Sequence, residues 1–227
     1  MLDKPFVYRS RAKDRPTQED PEVRIYTPDD VQRFERMVRK HLPDCSFRCL
    51  SNIPVPGVVC LPLKRPPDRW WSQMEVFRPD LPSSGRNIYF DLDTILVRDI
   101  DQIVAFPAPC AFIKPGKFVG SDRREPWQDQ EGYWRIPRYQ CSMKVWDSEY
   151  GHKFWESLTD DHRARLASDQ DYFGEVWPNE ARMPTEWFRK INHATAKPPE
   201  QVKAVMAMPI RNNEAARRYP WVREIWN

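Results

Sequence analysis

Glycine is scarce in this chain, with 7 among 227 residues, and so is histidine, with 4. No apolar stretch approaches the ~20 residues of a membrane-spanning helix, since the longest, Ile53 to Leu63, is broken by three prolines. The opening MLDKPFVYRSR lacks the apolar core of a secretory leader, so a cytoplasmic location is expected. A strong charge of either sign is also missing. A net charge of +3 and a pI near 8.6 are too mild to be a nucleic-acid footprint by themselves and suit a small anionic ligand equally well. The five cysteines (Cys45, Cys49, Cys60, Cys110, Cys141) form an odd set without a secreted context and read as reduced thiols. Cys45, Cys49 and His41 lack the second ligand pair that tetrahedral zinc needs.

Proline and tryptophan are abundant, at 23 and 10 residues. Many prolines beside few glycines imply fixed loops. Tryptophan and tyrosine suit flat polar ligands such as sugars, and they equally fill core and loop contacts. A mean hydropathy of -0.78, with 30% charged residues, is that of a soluble globular protein.

Phe6 to Tyr8 reads as a first strand and Arg9 to Arg24 as a loop. In YTPDDVQRFERMVRKHL, Thr27 caps a helix and Pro28 takes its first position. Asp29 and Asp30 favour the positive end of the dipole, and Val31, Phe34, Met37, Val38 and Leu42 keep a helical period. Ser46 to Leu50 and Val58 to Leu63 read as short strands, and WWSQMEVF as a short helix. Ile88 to Phe90, Thr94 to Val97, Ala111 to Ile113 and Met143 to Trp146 read as further strands. Glu149 to Leu158 is an expected helix, and SDQDYF starts another at Ser168 or Asp169. Val202 to Met206 reads as a last strand, and Asn213 to Trp226 as a C-terminal helix docking Trp221, Ile225 and Trp226. This alternation predicts an α/β domain with a mainly parallel central sheet flanked by helices. Lys114 to Arg138 shows no period and reads as a long functional loop.

NIYFDLDTILVRDID sets two Asp-x-Asp pairs behind an apolar run. Residues two apart on an extended segment point the same way, so Asp91 and Asp93 can converge on one cation at the carboxyl end of a strand. Open α/β sheets bind their ligands there. Adjacent carboxylates repel, and a divalent cation offsets the repulsion. Mg²⁺ or Mn²⁺ suits hard oxygens and leaves positions free for phosphate. The same two residues also suit a turn that caps backbone groups. Asp99 and Asp101, ahead of Gln102, Ile103 and Val104, read as the start of a short helix. Ser168-Asp169-Gln170-Asp171 matches a capping box.

IYFDLDTILVRDID resembles, through both acidic pairs, a strand of the GT-A glycosyltransferases similar to bacterial family 8, which reads much like YLDLDTVIVGDID. FRCLSN resembles that family's strand ending in Cys-Phe-Thr-Asp, and WWSQMEVF its Trp-Trp-x-Lys-x-x-x-Phe helix. YQCSMKVW is similar to its Tyr-Asn-Ser-Ser-Val-Met-x-Trp stretch, SDQDYF to its Asp-Gln helix start, and PWVREIW to its closing Pro-Trp-Val...Trp. The matches are collinear from about Phe6 to the end.

The resemblance implies a single GT-A (Rossmann-like) domain over residues 1–227. A nucleotide-sugar half would cover about 1–105 and an acceptor-side half about 106–227, with the Lys114 to Arg138 loop facing the acceptor. It implies a glycosyltransferase that moves a sugar from a nucleotide sugar, most often UDP-linked, to a glycan or other acceptor with retention at the sugar carbon. Asp91 and Asp93 would hold Mn²⁺ or Mg²⁺, Asp91 also reaching the ribose. Asp169 and Gln170 would face the donor sugar near the reacting carbon, and Gln140 would replace an Asn beside the sugar. Tyr8, Arg9 and Ser51 would be nucleotide contacts.

Two places depart from the pattern. VMAMPIRNN stands where Phe-His-Gly-x-Pro-Lys-Pro is usual, so Ala207 occupies the place of a metal-binding His, and Arg211 substitutes for a diphosphate-contacting Lys. Gln73 replaces the helix Lys, and His193 is a candidate replacement ligand. A nucleotide-sugar-binding pseudoenzyme is therefore the alternative reading. FDLDT also resembles the FDLDGTL nucleophile strand of haloacid dehalogenase phosphatases, which would make Asp91 a nucleophile, but the Gly of that motif is missing and the motif lies well into the chain.

Overall fold

A computed structural model of the chain describes residues 26–65, 69–82, 84–115, 126–136, 138–191, 196–207 and 212–226. The strand expected at Phe6 to Tyr8 and the loop that follows it lie outside the described residues.

Helix α1 (Pro28–His41) starts where its sequence dictates. The Thr27 hydroxyl accepts the Asp30 amide at 3.3 Å and the Asp30 carboxylate accepts the Thr27 amide at 2.8 Å, a reciprocal capping box. Val31, Phe34, Met37 and Val38 form the buried face that its period requires.

Strands β1 (Arg48–Leu50) and β2 (Val59–Leu61) then pair in parallel. WWSQMEVF falls in a 3-10 helix, Arg69–Phe77. Strand β3 (Arg86–Phe90) leads through the acidic motif into β4 (Thr94–Leu96) and the short α2 (Asp101–Val104). Strand β5 (Cys110–Ile113) follows, then a small hairpin of β6 (Trp127–Gln128) and β7 (Trp134–Arg135), then the long β8 (Gln140–Asp147). Helices α3 (Ser148–Glu156), α4 (Asp160–Arg165) and α5 (Asp169–Val176) come next. Strands β9 (Ala181–Met183), β10 (Phe188–Lys190) and β11 (Ala204–Met206) precede α6 (Asn212–Arg218) and α7 (Pro220–Trp226).

The α/β class is as expected, but the central sheet is mixed rather than mainly parallel. Its order is β3-β8-β5-β9, with β8 antiparallel to both neighbours and β9 parallel to β5. The cause is the excursion between β5 and β8, which leaves at Ile113 and returns at its register partner Gln140. A chain that re-enters a sheet at the end it left must run antiparallel, because only a crossover to the opposite end gives a parallel strand. A second sheet, β10-β11-β4, is also mixed. The single C-terminal helix expected from Asn213 is two helices, since Pro220 cannot continue α6 and opens α7 at its first position.

Alternation along the strands sends side chains to two cores. Ala111, Ile113, Met143 and Val145 join Phe34, Leu96, Val205 and Val222 on one face. Cys110, Phe112 and Trp146 join an aromatic layer of Phe77, Phe154, Tyr172 and Phe173 on the other. Among the described residues no helix is long and apolar enough to cross a membrane.

Helix α5 touches the segment after β7 closely. A Cβ built at Gly174 would lie 2.5 Å from the Ile136 carbonyl oxygen and 2.8 Å from its Cγ2. Backbone cannot swing away as a flexible side chain would, so Gly174→Ala is expected to destabilise the protein by about 1–3 kcal/mol, read as a lower urea midpoint at unchanged slope.

Candidate functional site

Strand register puts Lys144 of β8 directly opposite Tyr89 of β3 and Phe112 of β5. Lys144 thereby points into the aromatic layer, and its side chain is 0% exposed. Its ammonium donates to Asp169 Oδ2 at 3.1 Å and to Gln73 Oε1 at 3.0 Å, and it lies 4.4 Å from the centroid of the Tyr89 ring. The Tyr89 hydroxyl donates in turn to Asp91 Oδ1 at 2.7 Å. Asp91 is fixed at the end of β3 by its amide, which donates to the Ser142 carbonyl at 2.7 Å, and its own carbonyl accepts the Thr94 amide at 3.0 Å. The acidic loop, the start of α5 and the 3-10 segment thus meet around one buried cation.

Asp93 is 6% exposed, and its Oδ1 is buried with no hydrogen-bond partner among the described residues. Burial pushes its carboxyl up to about 7. Burial also raises Asp91 well above the usual carboxylate range, with the Asp93 charge adding to the effect. Asp169 is raised by burial against the opposing pull of Lys144. For Lys144 burial acts to lower the value, and the Asp169 charge outweighs it, leaving the ammonium above its ordinary value. Burial and the Asp91 charge hold the Tyr89 phenol well above its ordinary value. At Asp91 the charges of Asp93 and Asp169 act against the single pull of Lys144, so its acidic neighbours outnumber its cationic one.

An orphaned carboxylate oxygen beside a second carboxylate is a donor set that fits a hard divalent cation. No group of three or more His, Cys, Asp or Glu side chains able to hold a metal occurs among the described residues. A cation held by the pair would fill its remaining positions with water or phosphate oxygens, as Mg²⁺ commonly does. Ala207 is fully buried beside the pair, its amide donating to the Asp93 carbonyl at 2.8 Å.

Asp169 opens α5, fully within reach of Lys144, and Gln170 next to it is half-buried. Gln140 turns its Oε1 to the amide and hydroxyl of Ser142, at 2.8 and 2.5 Å, so it reaches the acidic loop through the residue that holds Asp91. Ser51 is engaged locally: its hydroxyl donates to the Ile53 carbonyl at 2.7 Å and accepts the Ile53 amide at 3.0 Å. Tyr8, Arg9, His193 and Arg211 lie outside the described residues. Asp99 accepts the Asp101 amide at 2.7 Å at the start of α2, as expected. The capping box expected at Ser168 does not form, because the Ser168 hydroxyl donates to Asp171 Oδ2 at 2.6 Å instead of accepting an amide. Asp171 ties α5 to the hairpin segment, its Oδ1 accepting the Ile136 amide at 2.6 Å.

Sequence reasoning missed Lys144 and Tyr89. The available signal was a lone cation inside the buried run Cys141 to Trp146, which must find a partner.

No protein-family model matches the sequence, and no curated protein matches it. Among solved structures the chain is similar to the galactosyltransferase LgtC, solved in complex with donor and acceptor sugar analogues. The TM-score is 0.60 at 9% identity, over 88% of this chain and 91% of that one. The apo structure of the bifunctional glycosyltransferase WbbM is also similar, with a TM-score of 0.41 at 12% identity over 74% of this chain and 39% of that one. The likeness to LgtC establishes the fold: this chain has the α/β GT-A glycosyltransferase fold.

The raised Asp93 value has a sign for stability. Between the ordinary carboxylate value of 3.8 and about 7, the metal-free folded state keeps a proton that the unfolded chain has lost. Stability therefore falls as pH rises through that window and levels off above it. Asp93→Asn, without metal, is expected to exceed wild type by roughly 2–4 kcal/mol at pH 8 and to lose that advantage near pH 4, measured by chemical denaturation at both pH values.

Proposed function

We propose that this chain is a glycosyltransferase that moves a sugar from a UDP-linked nucleotide sugar to a glycan acceptor with retention at the sugar carbon. The observation that carries the reading is the acidic pair of half-buried Asp91 and buried Asp93, with an orphaned Oδ1 on Asp93, near Asp169 on a GT-A fold. Asp91 and Asp93 would hold Mn²⁺ or Mg²⁺ against the diphosphate, and the bound cation would supply Lewis-acid stabilisation of the leaving group. Asp169, held by Lys144, would face the donor sugar together with Gln170, and Gln140 would line the sugar through its place beside Ser142. Most of the rate would then come from positioning by these ordered side chains. The donor half would lie in about 1–105 and the acceptor side in about 106–227. Trp134, 42% exposed on the hairpin that Asp171 ties to α5, supports a carbohydrate acceptor, because an open indole stacks well on a sugar ring.

A second reading is favoured by Ala207, whose amide sits on the Asp93 carbonyl and which brings a methyl group where the family pattern has imidazole. A protein that binds the donor without turning it over would tolerate that loss.

Calorimetry with UDP, UDP sugars and GDP sugars, with and without Mn²⁺, separates the cases. The expected result is metal-dependent binding that weakens at least about tenfold in Asp93→Ala, a loss of about 1.4 kcal/mol or more, with free nucleotide released on turnover. Metal-dependent binding with no nucleotide release across a panel of donors and acceptors would establish the binding-only reading. Absence of metal-dependent binding to any of these nucleotides would overturn both.

A further inference from the structure

Lys144 is the only described cation that touches the acidic site directly, and the glycosyl-transfer reading uses it only to hold Asp169. Its contacts leave it little freedom. Two of its donors are taken by Asp169 Oδ2 at 3.1 Å and Gln73 Oε1 at 3.0 Å, and its remaining near neighbours are rings: Tyr89 at 4.4 Å, Phe77 at 5.9 Å and Phe173 at 6.0 Å. The Tyr89 ring that lies against the ammonium carries the hydroxyl that donates to Asp91.

We infer that Lys144 is a positioning residue for both carboxylates: it sets Asp169 by a direct bond and sets Asp91 through the face and hydroxyl of Tyr89. The acidic loop after β3 and the first turn of α5 belong to distant parts of the chain, and a single charge orders them together. Gln73 meets Lys144 end to end from the opposite segment. A lysine at 73 paired with a neutral residue at 144 would return one ammonium to the same neighbourhood, so the charge and not its strand of origin should matter. The inference rests on the glycosyl-transfer reading only for what the two carboxylates contact.

The test compares wild type, Lys144→Met and the double variant Gln73→Lys/Lys144→Met, each carrying ¹³C-labelled aspartate. In Lys144→Met the carboxyl resonances of both Asp169 and Asp91 are expected to move, and in the double variant both return. If Asp169 moves alone, or neither moves, the link to Asp91 is wrong. Lys144→Met leaves Asp169 buried without its partner and can fail to fold, in which case the double variant decides. Folded with both resonances at their wild-type positions, it supports the inference; unfolded, or folded with Asp91 displaced, it overturns it.

Kinetics gives a readout that a purely structural lysine would not divide in this way. With an identified donor, Lys144→Met lowers kcat by about a hundredfold, the scale of a ~1 Å misplacement, and also weakens Mn²⁺-UDP binding by about tenfold. A fall in kcat with unchanged Mn²⁺-UDP binding would remove Asp91 from the proposal. A wild-type protein that binds no nucleotide sugar would remove the glycosyl-transfer reading and leave the resonance comparison intact.

Discussion

An ammonium group stripped of water has to be compensated inside the protein, because desolvating a lone charge costs several kcal/mol, comparable to the net stability of a domain. At Lys144 the compensation comes from one carboxylate, one amide oxygen and the face of a phenol ring. Four separate segments must therefore arrive together: β8 with the lysine, β3 with Tyr89, the 3-10 segment with Gln73, and α5 with Asp169. Removing one partner of a buried pair typically costs about 3–5 kcal/mol, so this junction is coupled to the stability of the whole aromatic layer. Phe77, Phe154 and Phe173 pack edge-on around it, with centroids 5.0 to 5.8 Å apart. Their low polarity strengthens the ion pair they enclose and raises the cost of leaving it unpaired.

The direction of β8 makes the junction possible. Because β8 returns at the end where β5 left, it slots between β3 and β5 and puts Lys144 across from Tyr89 in one register and from Phe112 in the other. A shift by one residue would send the lysine to the aliphatic face, among Phe34, Leu96 and Val205, with no acid to meet. The register is secured at the far side by α5, where Gly174 lets the helix approach Ile136 and Asp171 takes the Ile136 amide. The same tie that packs the hairpin thus also aims Asp169.

Parts of this were legible in the sequence for local reasons. Helix α1 could be read because its cap, its proline and its apolar period all lie within a few turns, and the strands beside the acidic motif because an apolar run ends at a turn. Asp91, Asp93 and Asp169 were singled out by motif. Strands β9 and β10 were not, since three residues carry too little alternation to register. Sheet direction was misread because it depends on where a long aperiodic loop returns, although the lack of any helical period between Ile113 and Gln140 already argued against a crossover. Ser51, expected at the nucleotide, uses its hydroxyl to close a turn on Ile53. Lys144 was passed over because lysine reads as surface until a strand buried on both faces surrounds it.

Gln73 and Ala207, the two places where the sequence leaves the pattern it otherwise resembles, differ in kind. At Gln73 an ammonium is at hand, because Lys144 brings its own to 3.0 Å from the glutamine oxygen. At Ala207 no described side chain takes the place of the expected imidazole, and the neighbouring Asp93 keeps a buried oxygen without a partner. One side of the site is therefore internally satisfied while the other holds a carboxyl group with one oxygen unpartnered. Buried polar groups in native proteins are rarely left unmatched unless something outside the chain completes them. The orphaned oxygen lies at the Asp91 and Asp93 pair, not at Asp169. On the reading proposed above, a partner at that pair would bring positive charge to hard oxygens, with water or phosphate in the coordination positions that Ala207 cannot supply.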